Sequence, residues 1–305
     1  MKNRILVIGS TVADVHIMLD HLPSSEEDVH PRGQRLALGG CAFNVASAIE
    51  ALAMPYTLFS PIGKGIYGDF IRSECARGNV HPVLESDEEN GCCYCLIDEG
   101  GNRTFMSLHG AEYRFKREWF DTLDMAEYGP VYVCGLEIEE ETGKHIIDFL
   151  KTCPDHYICF APGPRILSID RERCRQMMEL ASLIHLNRSE AVSWLKREGI
   201  MAETATEAAA ELGKMTGADV VVTDGSRPAA VCMAGTVYPI PVEPAEQVNG
   251  TGAGDAHIGT ILAALAAGKN LREAAVMAGQ VSRLVVQSRN SFLSREELLA
   301  GGIRL

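Results

Sequence analysis

The sequence predicts an α/β fold in which a mostly parallel central sheet is flanked by helices and carries a small β-sheet lid. Three observations predict it. Continuous β-branched apolar runs recur along the chain, helical patterns separate them, and two stretches interrupt that alternation. Runs that are apolar on both faces belong in a sheet covered on both sides. Strands alternating with helices imply right-handed crossovers between parallel neighbours.

The first run is Arg4-Ile5-Leu6-Val7-Ile8-Gly9, and similar ones occupy 56–60, 131–134, 157–161, 183–186 and 219–223. Helical patterns cover 43–52, which stops before Met54-Pro55, then 69–77, 140–151, 171–181 and 202–215. The stretch 15–38 is polar and rich in turn residues. In 91–109 two short strands flank Asp98-Glu99-Gly100-Gly101-Asn102, a turn whose glycines supply positive φ. A hairpin is out of place in a parallel sheet, so segments 15–38 and 91–113 are assigned to the lid, inserted into a single domain spanning 1–305. The C-terminal third reads as helical. A helix over 252–267 ends at Gly268, a suitable C′ glycine. Asn270 with Glu273 and Ser294 with Glu297 form capping boxes for the two helices that follow.

Composition narrows the function classes. Of 305 residues, 46% are hydrophobic and 23% charged, which excludes a disordered chain. Lys and Arg number 28 against 41 Asp and Glu, a net charge of −13 that repels nucleic acid and anionic membranes. No apolar run approaches the ~20 residues that span a bilayer. Met1-Lys2-Asn3-Arg4 leads into a strand that soon meets Asp14, unlike a signal peptide. The ten cysteines are scattered, and Cys92-Cys93-Tyr94-Cys95 lacks the two-plus-two spacing of a zinc site. They read as small apolar residues in a reducing cytoplasm, with no structural metal.

Three segments carry chemistry. In Val248-Asn249-Gly250-Thr251-Gly252-Ala253-Gly254-Asp255, three glycines precede an aspartate and an alanine-rich helix. Small residues there let consecutive N–H groups converge, and the helix N-terminus adds partial positive charge: an anion hole suited to a phosphoryl group in transit. Asp255 at its lip is placed to accept a hydroxyl proton; the alternative is a first-turn carboxylate favoured only by the helix dipole. Gly39-Gly40-Cys41-Ala42-Phe43-Asn44 is a second glycine turn before a helix, with Asn44 offering both a donor and an acceptor or merely satisfying local backbone. Asp14 follows the C-terminal end of the first strand, where open parallel sheets bind ligands; it is suited to vicinal hydroxyls or to capping its own turn.

Together these segments resemble the ribokinase, or PfkB, family of carbohydrate and nucleoside kinases. That family opens with a strand and an Asp, continues with Gly-Gly-x-x-x-Asn and closes with a Thr-x-Gly-Ala-Gly-Asp-like signature, matched here by Asp14, Gly39–Asn44 and Thr251–Asp255. Asn187-Arg188-Ser189-Glu190 looks like the family's Asn-x-x-Glu, and Thr223-Asp224-Gly225 like its Thr-x-Gly loop. The resemblance covers essentially the whole chain. It implies a ribokinase-like fold and transfer of the γ-phosphate of ATP to a hydroxymethyl group of a sugar, sugar acid or nucleoside. Asp255 would be the general base. The N–H groups from Gly252, Ala253, Gly254 and Asp255, led by Gly250, would hold the phosphoryl group. Asp14, Gly39, Gly40 and Asn44 would bind the sugar. Asn187 and Glu190 would lie near the nucleotide phosphates and hydrated Mg²⁺, with Thr223 and Gly225 beside the nucleotide.

Departures from the family pattern are informative. Asn249 stands where many members carry an Asp tied to a monovalent-cation site, which argues against K⁺ activation. Gly65 replaces a common Asp, and His257 a common Phe. Phe160-Ala161-Pro162-Gly163-Pro164-Arg165 resembles an Asp-Pro-Asn-x-Arg seen in fructokinase-like members, so Arg165 either reaches a phosphate or substrate carboxylate or is a surface arginine. Two other function classes compete. A non-catalytic nucleotide- or sugar-binding regulator would have no need of Asp255, and a Rossmann oxidoreductase would need Gly-x-Gly-x-x-Gly where the chain has Gly9-Ser10-Thr11-Val12-Ala13-Asp14. Tyr94, Phe105, Met106, His109 and Tyr113 are the lid side chains expected to set specificity. Both faces of the lid strands are apolar, which predicts a homodimer joined through the lids.

Overall fold

In the computed structural model, which describes residues 2–305, thirteen strands follow one another in chain order. They are β1 (Arg4–Ile8), β2 (Val12–Met18), β3 (Gly33–Gly39), β4 (Tyr56–Lys64), β5 (Pro82–Glu89), β6 (Cys92–Ile97), β7 (Arg103–Leu108), β8 (Tyr128–Cys134), β9 (Tyr157–Ala161), β10 (Leu183–Asn187), β11 (Asp219–Asp224), β12 (Arg227–Met233) and β13 (Thr236–Ile240). Nine form one sheet in the order β13-β12-β11-β10-β9-β8-β1-β4-β5, parallel from β5 to β11 and closed at one edge by antiparallel β12 and β13. The other four form a separate sheet, β3-β2-β6-β7.

The period of two along each strand decides which core a side chain enters. Ile5 and Val7 of β1 pack into one hydrophobic cluster, and Leu6 and Ile8 into the other, so the main sheet is covered on both faces. The expected strands are present, several longer than their apolar runs. The expected α/β architecture with a small second sheet is thus the observed one.

The differences have local causes. β5 reads Pro-Val-Leu-Glu-Ser-Asp-Glu-Glu and was invisible as an apolar run because it is an edge strand whose charges face solvent. The hairpin of β12 and β13 turns at Ala234-Gly235, so the C-terminal third is not wholly helical. The pattern over 140–151 splits into helices Gly135–Glu139 and Gly143–Lys151, and 69–77 becomes Gly65–Cys75. The helix Arg188–Arg197 was not foreseen.

The small sheet matches the segments assigned to the lid, with one shift: β2 begins at Val12, so Asp14 lies within a strand and not in a turn after β1. β2 pairs antiparallel with β3 and parallel with β6, placing Asp14 opposite Ala37 and beside Cys93. The base of the β6–β7 hairpin is clamped by the buried Glu112 carboxylate, which accepts the N–H groups of Gly91 and Gly110 at 2.8 and 3.0 Å. Tyr94 reaches from the outer face of β6 to the hydroxyl of Tyr67 on helix Gly65–Cys75. No helix is long and apolar enough to cross a membrane among the described residues.

Candidate active site

The strand order reverses at β1: β4 and β5 lie on one side, and β8 to β11 on the other. A crevice opens at the C-terminal ends of such strands. Two helices point their N-termini into it, Cys41–Ala51 and Ala253–Ala266. They approach closely because the second is built of small residues. A Cβ on Gly259 would stand 2.8 Å from the Val45 carbonyl oxygen. The approach brings Asn44 Nδ2 to 2.8 Å from Asp255 Oδ2, to which it donates.

Both helices start at glycine. Gly40 has φ 96° and Gly252 φ 81°, and neither helix has a side-chain cap. At Gly252 a Cβ would strike the Ser291 carbonyl oxygen, so only glycine fits both the angle and the space. No side chain therefore caps the first-turn N–H groups of Ala253–Ala266. Gly250 lies upstream against the side chain of Gln247. Asn249 braces the same loop: its Oδ1 accepts the Thr251 N–H at 2.9 Å and its Nδ2 donates to the Arg289 carbonyl at 3.2 Å.

The carboxylates are electrostatically tuned. Burial pushes the Asp255 carboxyl up to about 6, opposed by hydrogen bonds from Asn44 and Cys41. Asp14 is pushed up to about 7, chiefly by burial and then by the charge of Asp255, against the pull of Arg103. Gly39 lies against the Asp14 carboxylate, where a Cβ would collide with it. Arg103, the first residue of β7, crosses from the small sheet to hydrogen-bond the Thr251 hydroxyl.

On the other side of the Gly-rich loop a cavity of about 260 Å³ is lined by Thr223, Gly225, Val242, Gly254, His257 and Val286, among others. Thr223 ends the regular part of β11 and Gly225 turns the chain at φ 60°. Asn187 and Glu190 form a capping box for helix Arg188–Arg197: Asn187 Oδ1 accepts the Glu190 N–H, and Glu190 accepts the Asn187 N–H and Nδ2. Their spacing thus has a structural use. Glu190 still feels the Asp255 charge, and burial raises its carboxyl to about 6.

The structure brings Asp14, Gly39, Gly40, Asn44 and Gly252–Asp255 together, with Thr223, Gly225 and Gly254 around the adjoining cavity. Arg165 and His257 each have a partner within the fold. Arg165 pairs with the Glu139 carboxylate through Nε at 2.8 Å and through a second, shorter contact. His257 shares a 3.0 Å hydrogen bond with buried His185 and lines the cavity wall. Two residues were missed from sequence: Arg103, which reaches the Thr251 hydroxyl, and Glu137. Glu137, fully buried just past β8, accepts the Ser10 N–H at 2.8 Å and so ties the end of β8 to the crossover from β1 into β2. It belongs to no motif, but its place after the C-terminal end of a buried strand was the available signal.

Known proteins share both the sequence pattern and the fold. A family model described as pfkB family carbohydrate kinase matches residues 2–297. The uncharacterized sugar kinase YegV of Escherichia coli is 30% identical over 98% of this chain and 94% of its own. Ribokinase of Bacillus subtilis is 27% identical over 94% of each chain. Among solved structures, ribokinase from Thermotoga maritima superposes with a TM-score of 0.84 at 20% identity, covering 99% of each chain. A fructokinase with bound ATP from Xylella fastidiosa gives 0.81 at 17%, covering 99% of this chain and 98% of that one. The chain belongs to the PfkB family of carbohydrate kinases and is a sugar or nucleoside kinase.

Proposed function

We propose that this kinase moves the γ-phosphate of ATP to a hydroxymethyl group, with Asp255 as general base and the N–H groups of Gly252–Asp255 as the anion hole. The observation that carries this is the Asn44–Asp255 hydrogen bond, because it aims a carboxylate at the mouth of an uncapped helix start. With its carboxyl raised to about 6, Asp255 is ionised at neutral pH yet basic enough to take a hydroxyl proton as the phosphoryl group leaves ADP. Negative charge building on the transferred group meets fixed N–H dipoles that need no reorganisation. Asn44 orients the base. Asp14, its carboxyl pushed up to about 7 chiefly by burial, holds acceptor hydroxyls beside Gly39 and Gly40. The small sheet acts as the lid, inserted at 15–38 and 91–113, that excludes water.

ATP is assigned to the cavity lined by Thr223, Gly225 and Gly254, with Gly250 in the adjoining loop, and a structural neighbour, Arabidopsis thaliana ribokinase, was solved with ribose and ATP. Mg²⁺ would arrive with the nucleotide. No cluster of three metal-ligating side chains occurs among the described residues, which suits an ion that keeps its waters and phosphate ligands, with Glu190 as its outer carboxylate. Asn249 is uncharged and has both ends of its amide engaged, which supports turnover independent of K⁺. The reading is tested by ADP release with MgATP against pentoses, hexoses, keto acids and nucleosides. We expect turnover of at least one acceptor, abolished by EDTA and equal within about twofold in K⁺ and Na⁺. Absence of acceptor-dependent turnover across that panel would overturn the reading.

We further propose a cytoplasmic homodimer joined through the outer lid faces. Leu36, Met106 and Leu108 are exposed there, while Ile17 and Tyr94 of the same face pack on the chain's own core. Light scattering is expected to give a dimer that Leu108→Asp dissociates. A monomeric wild type at micromolar concentration would contradict it.

A further inference from the structure

The inner face of the lid, the one bearing Asp14, is cationic. Strand pairing places His16 two residues beyond Asp14 on that face, opposite Arg35 of β3 and beside Cys95 of β6. Cys95 in turn opposes Phe105 of β7, and Arg103 lies two residues away from Phe105 on the same face. The other arginines of this region are neutralised: Arg32 pairs with Asp20 and Glu99, and Arg114 with Glu88. Arg35 is exposed and makes no ion pair among the described residues, and Arg103 hydrogen-bonds the Thr251 hydroxyl and has only the electrostatic pull on Asp14, with no ion pair to it. In a chain of net charge −13, two guanidiniums that form no ion pair among the described residues, on the face that bears Asp14, are an exception to their paired neighbours. His16 adds an independent observation. It is 7% exposed and its Nδ1 makes no hydrogen bond. Burial and the neighbouring charges of Arg35 and Arg103 push its pKa down to about 4, so it is a neutral group with a buried, unpartnered nitrogen on the same face as the two arginines.

We infer that the acceptor carries an anionic group, a carboxylate or a phosphate monoester, held by Arg35 and Arg103 with His16 as the neutral partner. The inference rests on the kinase reading of Asp255 and names its substrate class. Two residues along a strand span about 7 Å. That is the reach from a hydroxyl held at Asp14 to an acid at the far end of a five- or six-carbon chain. A guanidinium binds carboxylate or phosphate through paired N–H groups, geometry that a neutral sugar cannot reproduce.

The test compares ADP release with neutral acceptors (D-ribose, D-fructose, inosine) and anionic ones (D-gluconate and 2-keto-D-gluconate for carboxylate, fructose 6-phosphate for phosphate). The wild type is expected to favour one anionic class in kcat/KM. Loss of a charge-assisted contact should make Arg35→Ala lower the anionic-to-neutral ratio by about 10- to 100-fold, mainly through KM. Arg35→Lys should recover part of it, and His16→Ala should lower it less. A preference for neutral acceptors, or an unchanged ratio in Arg35→Ala, would overturn the inference. A binding arm separates it from the kinase reading: if no acceptor is turned over, that reading fails. A rise in Tm with D-gluconate or fructose 6-phosphate that is lost in Arg35→Ala would then still uphold the anionic subsite. No rise with either compound in the wild type would remove it.

Discussion

Helices Ala205–Thr216, Leu271–Gln287 and Arg295–Ala300 begin at Thr204, Asn270 and Ser294, whose side chains accept an N–H from a glutamate three residues on, while that glutamate reaches back. Helices Cys41–Ala51 and Ala253–Ala266 begin at Gly40 and Gly252 and have no such cap. A capping side chain is worth about 1 kcal/mol to its helix. The two site helices forgo it: Phe43 N–H at the first start goes to the Ser10 carbonyl instead, and no side chain caps the second. Helix Arg188–Arg197 stands between the two kinds. It begins with a complete capping box, and the Glu190 of that box keeps a carboxyl close enough to Asp255 to feel its charge. The contrast teaches how helix starts differ in use: where side chains close the start, the helix is stabilised; where glycine stands instead, as at Gly252, no side chain competes for the N–H groups that the proposed mechanism assigns to the phosphoryl group.

Substitution at the two kinds of helix start should separate these uses. Gly252→Ala forces a side chain into φ 81° and into the Ser291 carbonyl, so the loop must move. We expect kcat/KM to fall about 100-fold or more, the scale of a lost oxyanion-type donor, in steady-state assays. Thr204→Ala removes a cap far from the crevice, and denaturant titration should show a loss of about 1 kcal/mol with kcat unchanged. Equal effects of the two substitutions on kcat would erase the distinction between opened and closed helix starts.

Much of the fold was legible because burial writes itself as period. The alternation Ile5, Val7 against Leu6, Ile8 feeds two cores and reads as one unbroken apolar run. The Asn270 and Ser294 boxes were legible from three-residue spacing. The same spacing at Asn187 and Glu190 was read as a site alone, because a local pattern does not tell whether its hydrogen bonds are spent within the helix. Asp14 was read as following the first strand and not as part of a second one, because only Gly9-Ser10-Thr11 separate the main sheet from the small one. Glu137 and the pairing of Arg165 with Glu139 depend on contacts between distant segments, which no local period encodes. The inner and outer faces of the lid were distinguishable by alternation, but which face meets Asp255 required the register of β2 against β3 and β6.

The central claim is that Asp255, at an opened helix start, is the base. Its raised carboxyl also has a stability consequence. Folding favours the protonated form, a contribution present at low pH and lost as pH rises from 3.8 through about 6, so the neutral Asp255→Asn should melt higher than wild type at pH 8. The most direct measurement is single-turnover phosphoryl transfer, with nucleotide binding measured alongside, for wild type and Asp255→Asn from pH 5 to 8. The account predicts a wild-type rate that falls as pH drops through about 6, and a variant slower by about 10²–10⁴-fold that binds nucleotide as the wild type does. A variant that transfers phosphate at the wild-type rate with the same pH profile would contradict it.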